Sequence, residues 1–238
     1  MRTKQCMGGW AAAWGVLLLA VCARGQVLAP NPEAAGLWVG EITVNQVTHV
    51  AGGTNAPVAD ATQLRVILHV GTNGVVRLLK DVTVARKRSR TPDTAPATDA
   101  SLILVTNPSL LPGLGGVIRR NGRLVGQRLA TASFDFPGQE LILEGGLGAN
   151  FRCAGTLELA PAHPTNPFRH PFHPNLGVGV RVTRALGMRF TQPASAVQGV
   201  TQLTGEYEET VTGLHRAPLV AKGVVVLNRV SGVGVLNQ

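Results

Sequence analysis

Along most of this chain apolar and polar residues alternate at period two. That spacing puts one face of a β-strand on a dry core and the other in water. The cleanest run is 178–191. Val178, Val180, Val182, Leu186, Met188 and Phe190 fall on one face, and Gly179, Arg181, Thr183, Ala185, Gly187, Arg189 and Thr191 on the other. Arg184 alone breaks the apolar row. The same period places Trp38, Ile42 and Val44 together within 37–47, and Leu64, Val66, Leu68 and Val70 together within 64–70. Further strands are predicted over 75–85, 101–106, 139–147, 151–159, 202–212 and 219–230. Residues 129–136 are ambiguous, since Leu129, Ala130, Ala132 and Ser133 also suit one helical turn. No segment holds a period of 3.6 over three turns, and no internal repeat is visible.

Turn chemistry punctuates these runs. Asn73-Gly74 follows the 64–70 strand and predicts a type I′ hairpin, because both residues tolerate positive φ. Asn121-Gly122 is a second candidate. Many short strands with Gly and Pro turns predict an all-β fold. The expected form is an antiparallel β-sandwich of about ten strands over 37–238, with an open barrel as the alternative.

The first 25 residues have a different character. Arg2 and Lys4 precede an uncharged apolar stretch, Trp10 to Cys22, and Ala23 and Gly25 are small residues before Gln26. This is the pattern of a cleaved secretory signal peptide over 1–25. The stretch is too short for a transmembrane span, and no span is expected in the mature chain. Lipidation at Cys22 is the minor alternative, because Val21 stands where a small residue is wanted. Residues 26–36, with Pro30 and Pro32, read as a flexible lead-in. The expected location is therefore periplasmic, extracellular or the cell surface.

Cleavage changes the charge and cysteine counts. Of 22 basic residues, Arg2, Lys4 and Arg24 precede Gln26, which leaves 19 against 13 acidic and a net charge of +6. Cys6 and Cys22 leave as well, so Cys153 stands alone and reads as a buried apolar residue beside Leu157 and Leu159. The basic run Arg86-Lys87-Arg88-Ser89-Arg90 and the polar stretch after it read as a solvated loop. No aromatic residue interleaves with the run as a base-stacking site requires, so no nucleic-acid partner is expected.

Signatures of common enzymes are absent. There is no G-x-S-x-G, H-E-x-x-H, P-loop or C-x-x-C motif. Two clusters remain. His163, His170 and His173 lie in a stretch stiffened by Pro164, Pro167, Pro171 and Pro174, with Phe168 and Phe172 among them. A divalent metal is the cofactor such a trio would hold, with further ligands from elsewhere, because no acidic residue lies between Glu158 and Glu206. The simpler reading is a rigid connector. The second cluster is Glu206-Tyr207-Glu208-Glu209, where Glu206 and Glu208 share one face of a strand. A cation or a sugar would suit that row, and so would plain solvent.

Several landmarks together carry a resemblance. They are Gly36-Leu37-Trp38-Val39-Gly40-Glu41, Leu68-His69-Val70 leading to Arg77-Leu78-Leu79-Lys80, the His-Pro-Phe-His-Pro element, Gly205-Glu206-Tyr207-Glu208-Glu209-Thr210, and Thr212-Gly213-Leu214-His215. On these the chain resembles a β-rich module recurring in large secreted proteins of Verrucomicrobia and Planctomycetes-type bacteria. The resemblance implies export and a β-module, and no reaction. The group carries acidic residues just after the His-Pro element, whereas Asn175-Leu176-Gly177 follow it here. A cation held by those acids would bind poorly to this chain.

The expected function is a non-enzymatic secreted or cell-surface module for binding or envelope assembly. A polysaccharide or an envelope protein is the expected class of partner. The alternative is a carbohydrate-active or metal-assisted hydrolytic domain, with His170 and His173 as ligands and Glu206 or Glu208 as base.

Overall fold

A computed structural model describes residues 32–48, 54–88, 96–148, 151–170, 172–191 and 201–237. The leader, Cys22 and the first part of the lead-in lie outside the described residues. So does the stretch after Arg88 in the basic run.

The alternating segments form antiparallel strands, as expected. The strands are β1 (Gly36–Thr48), β2 (Asn55–Val70), β3 (Val76–Leu79), β4 (Asp81–Arg86), β5 (Leu102–Val105), β6 (Arg119–Arg120), β7 (Arg123–Leu124) and β8 (Gly126–Ala130). They continue with β9 (Glu140–Gly146), β10 (Arg152–Leu159), β11 (Val182–Phe190), β12 (Gln202–Thr212) and β13 (Leu219–Ser231). Eight of them close into a barrel in the order β1-β13-β12-β11-β10-β9-β3-β2. β1 pairs with both β2 and β13, so the first and last strands meet and the main sheet keeps no open edge. The sequence left a sandwich and an open barrel as the choices; the sheet takes the barrel course and closes.

A second layer covers part of the barrel. β5, β4 and β8 form a three-stranded sheet. Its Val82, Leu104 and Leu129 pack with Leu37, Ile67 and Leu79 from the outer face of β1, β2 and β3. Those barrel strands are therefore dry on both faces. That is why Val66, Ile67, Leu68, His69 and Val70 are all buried, although the period-two pattern put Ile67 and His69 on a polar face.

The barrel interior is filled by Trp38, Leu68, Leu78, Met188, Phe190, Tyr207 and their neighbours. Trp38 is fully buried, and its indole N–H donates to the Ala34 carbonyl at 3.0 Å. Arg229, paired across from Trp38, stacks its guanidinium 5.6 Å from the ring and donates to the Ala35 carbonyl. The lead-in thus differs from expectation at its end. Ala34 and Ala35 are buried parts of the barrel seal.

Of residues 129–136, left ambiguous by the sequence, Leu129 and Ala130 end β8, and the stretch 131–139 is neither helix nor strand. They lead from β8 into β9 and insert Phe134 and Phe136 into the barrel core. Thr131 Oγ1 donates to the Arg65 carbonyl at 2.8 Å, and the Arg65 N–H donates to Ser133 Oγ at 2.9 Å. These bonds fasten the plug to β2.

Of the two Asn-Gly pairs, only the second makes the expected type I′ turn. Asn73 has no positive φ, while Gly74 does, at 78°. The Gly71 N–H donates to the Val75 carbonyl at 2.9 Å across this turn. The three residues between them place the left-handed residue last, a longer turn than type I′. Asn121 and Gly122, at φ 50° and 76°, make the two-residue type I′ turn between β6 and β7.

Candidate functional site

The His-Pro segment is the connection between β10 and β11. Its base is built on Asn166, which is 3% exposed. The Asn166 amide donates to the carbonyls of Ala160 at 3.1 Å and Val180 at 2.6 Å, and its Oδ1 accepts from the Phe168 N–H at 3.0 Å. One side chain so ties the outgoing and returning arms of the loop. Gly179 fits against it; a Cβ there would fall 2.3 Å from Asn166 Oδ1. The backbone beyond turns on itself. The N–H groups of Arg169, His173 and Leu176 donate to the carbonyls of Asn166, His170 and His173 at 3.0, 2.9 and 3.2 Å. The His170 N–H donates to the Leu176 carbonyl at 2.8 Å.

This folding also accounts for Val178 and Val180. The alternation placed them at the head of the 178–191 strand, but β11 begins only at Val182. Asn166 and the Gly179–Pro161 backbone bond hold residues 178–180 in the loop, where Val178 and Val180 are exposed.

The three expected histidines are divided between two places. Thr165 N–H donates to His163 Nδ1 at 3.3 Å, which leaves Nε2 to face the plug. That nitrogen lies 3.4 Å from Asp135 Oδ2 of the plug. Asp135 also receives Lys80 Nζ at 3.2 Å on its other oxygen and Thr165 Oγ1 at 3.3 Å. His163 therefore clasps the loop to the plug. His170 and His173 lie farther out and line a surface hollow of about 470 Å³ with Phe172 and Leu176. His173 Nδ1 accepts from the Asn175 N–H at 3.2 Å. Among the described residues no three His, Cys, Asp or Glu side chains converge as a metal-binding set.

The second cluster divides between the two sides of the barrel wall. Glu206 and Glu208 face outward, as expected. They border an outer hollow of about 650 Å³ with Arg152, Arg189 and Lys222. Lys222 Nζ meets Glu208 Oε2 at 3.1 Å, so the charges there offset one another. Tyr207 is the one aromatic residue bordering that hollow, and it is buried. A sugar would find no exposed ring there to stack on.

Glu209 points inward and is 4% exposed. The Arg184 guanidinium grips it with two nitrogens, Nε on Oε1 and Nη2 on Oε2 at 3.1 Å. Tyr207 Oη donates to the same Oε2 at 2.7 Å. Arg184 Nη1 reaches on to the Ser133 carbonyl at 2.9 Å, and the guanidinium stacks 5.1 Å from the Phe134 ring. Burial works against the Arg184 charge, and the Glu209 carboxylate outweighs it, so the guanidinium is held above its ordinary range. Burial, then the carboxylate, pushes the Tyr207 phenol up. The sequence reading missed this cluster. Its only sign was Arg184 in an otherwise apolar row and a third glutamate out of step with Glu206 and Glu208.

The remaining buried titratable groups lie elsewhere. Cys153 is fully buried in the core, and burial pushes its thiol up to about 12. His69 is buried on the outer face of β2, with Nε2 3.1 Å from the Val233 carbonyl and Nδ1 unpartnered. Burial first, and Arg77 second, bring its pKa down to about 4 against the pull of the Val233 carbonyl.

These placements assign the polar clusters different work. The buried triad joins β11 and β12 to the plug, His163 joins the loop to the plug, and the tip beyond His170 is left facing solvent. Compared with known proteins, the chain matches no family model and no curated relative.

Proposed function

We propose that this chain is an exported, non-enzymatic β-barrel module that binds another component of the cell envelope through the His-Pro loop. The observation that carries this reading is Phe172, which stands as exposed as in an unfolded chain, at 102%, on a loop that is itself firmly braced. Exposing a large aromatic ring on a stiff support has no benefit to folding, because the ring gives up its transfer from water. It suits a contact made with a second body. The leader pattern of residues 1–25 supports export, and the resemblance to modules of large secreted proteins agrees with it.

Two measurements test the proposal. Mass spectrometry of the exported protein is expected to find Gln26 at the mature N-terminus. Co-sedimentation with isolated bacterial envelopes is expected to retain the protein, and Phe172→Ser is expected to lower the retained fraction several-fold. Equal retention of the two proteins would overturn the assignment of the loop as the binding element.

A further inference from the structure

The basic run that starts at Arg86 does not stand alone on the surface. Arg86 ends β4, and Lys87 is bridged to Val117, just before β6. The Arg88 N–H donates to the Gly116 carbonyl at 2.6 Å, and the Ile118 N–H to the Arg86 carbonyl at 2.9 Å. The Arg86 N–H donates to the Val125 carbonyl at 3.1 Å, just past β7. The start of the run is therefore bonded into the sheet, where the sequence reads as solvated loop. These bonds also set it against a second basic group. The β6–β7 hairpin carries Arg119 and Arg120 on one arm and Arg123 on the other, with Arg120 directly opposite Arg123. Like charges facing each other across a ladder weaken it, so folding gains nothing from this grouping.

The charge gathered there is not offset. Among the described residues no carboxylate pairs with Lys87, Arg88, Arg119 or Arg123. Asp81 and Asp99 are the described acidic residues between Lys80 and Phe134, and both are engaged elsewhere. Asp81 holds Arg128 at 2.6 Å, and Asp99 accepts from the Gly232 N–H at 2.7 Å. Arg119 donates to the carbonyls of Leu111 at 2.6 Å and Pro112 at 3.1 Å, neutral partners that orient the group and leave its charge. Lys87, Arg88 and Arg123 are exposed. Salt screens a single exposed charge, but several of one sign on one patch sum to a field that draws polyanions.

We propose that this patch, built from the end of β4 and the β6–β7 hairpin, binds an acidic polysaccharide through its carboxylates or sulfates. Arginine supplies most of the patch, and its guanidinium takes such oxyanions two oxygens at a time. Other partners lack what they need here. No aromatic residue occurs between Trp38 and Phe134, so nucleic-acid bases have nothing to stack on. Val117 is buried, and Ile118, Leu124 and Val125 are half-buried. These strands therefore offer no exposed apolar core to a protein and no wedge to a bilayer. The patch shares no residue with the His-Pro loop, and the proposal is independent of that loop's role.

The probes are alginate, which carries carboxylates, dextran sulfate, which carries sulfates, and neutral dextran, with oligothymidylate of matched charge beside them. The purified protein is expected to bind one or both charged glycans and to ignore dextran. The preferred glycan identifies the group recognised. Raising the salt is expected to weaken binding steeply. Arg88→Gln/Arg123→Gln takes one cation from each segment. It is expected to weaken binding about tenfold and to lower the log–log salt slope by about two. Arg152→Gln/Arg189→Gln removes the same charge from β10 and β11 and is expected to change binding less than about twofold. All four arginines are exposed, so both variants are expected to melt near wild type. Equal losses in the two variants would mean that net charge alone draws the glycan, which overturns the patch. So does failure to bind either charged glycan at low salt. Tighter binding to oligothymidylate than to either glycan assigns the patch to nucleic acid and overturns the polysaccharide.

Discussion

Arg184 and Glu209 sit on adjacent strands and meet inside the barrel, where the guanidinium grips the carboxylate with two nitrogens and extends a third to the plug at Ser133. The pair is lopsided in burial. Arg184 keeps 25% of its side chain exposed, while Glu209 keeps 5%. Losing the arginine would strand a buried carboxylate. Losing the glutamate would leave a cation that can still reach water. Arg184→Met is therefore expected to cost about 3–5 kcal/mol, and Glu209→Gln distinctly less, about 1–3 kcal/mol. The double replacement Arg184→Met/Glu209→Met is expected to recover much of the first loss, because no charge is then left buried. Urea denaturation of the three variants measures this. Equal costs for the two single changes would refute the asymmetry.

His69 should make the barrel acid-sensitive in a defined window. Its folded pKa of about 4 lies below the ordinary 6.5, so between those values the unfolded chain takes up a proton that the folded chain refuses. Stability from keeping this ring neutral is complete above pH 6.5 and is lost as pH falls toward 4, by up to about 3 kcal/mol. Melting temperature followed from pH 7 to 4 is expected to fall, and His69→Phe to flatten that slope. A variant with an undiminished slope would place the acid sensitivity elsewhere.

The loop base offers a separate test. Asn166→Ala removes one amide that serves two carbonyls and one N–H, and is expected to cost about 1–3 kcal/mol. Gly179→Ala forces a methyl onto Asn166 Oδ1 and should do similar damage. Hydrogen exchange is the discriminating measurement. Protection is expected to drop in the turns of residues 163–176 and to persist in β11 and β12.

Asp135 and His163 are each about one-third exposed, so their contact is a fastening rather than a foundation. His163→Ala is expected to change global stability by no more than about 1 kcal/mol. It should nevertheless raise exchange at Thr165 and Asn166, since the clasp to the plug is lost. A large fall in melting temperature with unchanged loop exchange would contradict this role.

Cys153 is expected to be inert in the native protein. Its thiol is buried and pushed up to about 12, so almost no thiolate exists at neutral pH. Labelling by a thiol reagent should follow the rate of global unfolding and rise with denaturant. Rapid native-state labelling would mean the β10 wall opens locally.

Much of the strand inventory was legible because period-two patterning is a local property of the chain. Trp38, Ile42 and Val44 in β1, and Leu186, Met188 and Phe190 in β11, face the core that the alternation assigns them. The errors have a common origin. Ile67 and His69 read as outward residues, yet a second sheet assembled from β4, β5 and β8 covers that face. Val178 and Val180 continue the β11 pattern, but Asn166, twelve or more residues earlier, holds them in a loop. Of the candidate site, the His-Pro stretch was visible by composition. That His163 belongs to Asp135, and not with His170 and His173, was not.

The sequence by itself determined that the chain is all-β and antiparallel, where most strands begin and end, and that the His-Pro stretch is a stiff connection. Those properties depend on side-chain alternation and on the fixed φ of proline, which act within a few residues. Tertiary structure alone decided that the sheet closes, that residues 131–139 plug it, and that Arg184 finds Glu209 and Tyr207. Each of these needs partners distant in the chain, and no local period records which strand will stand beside which.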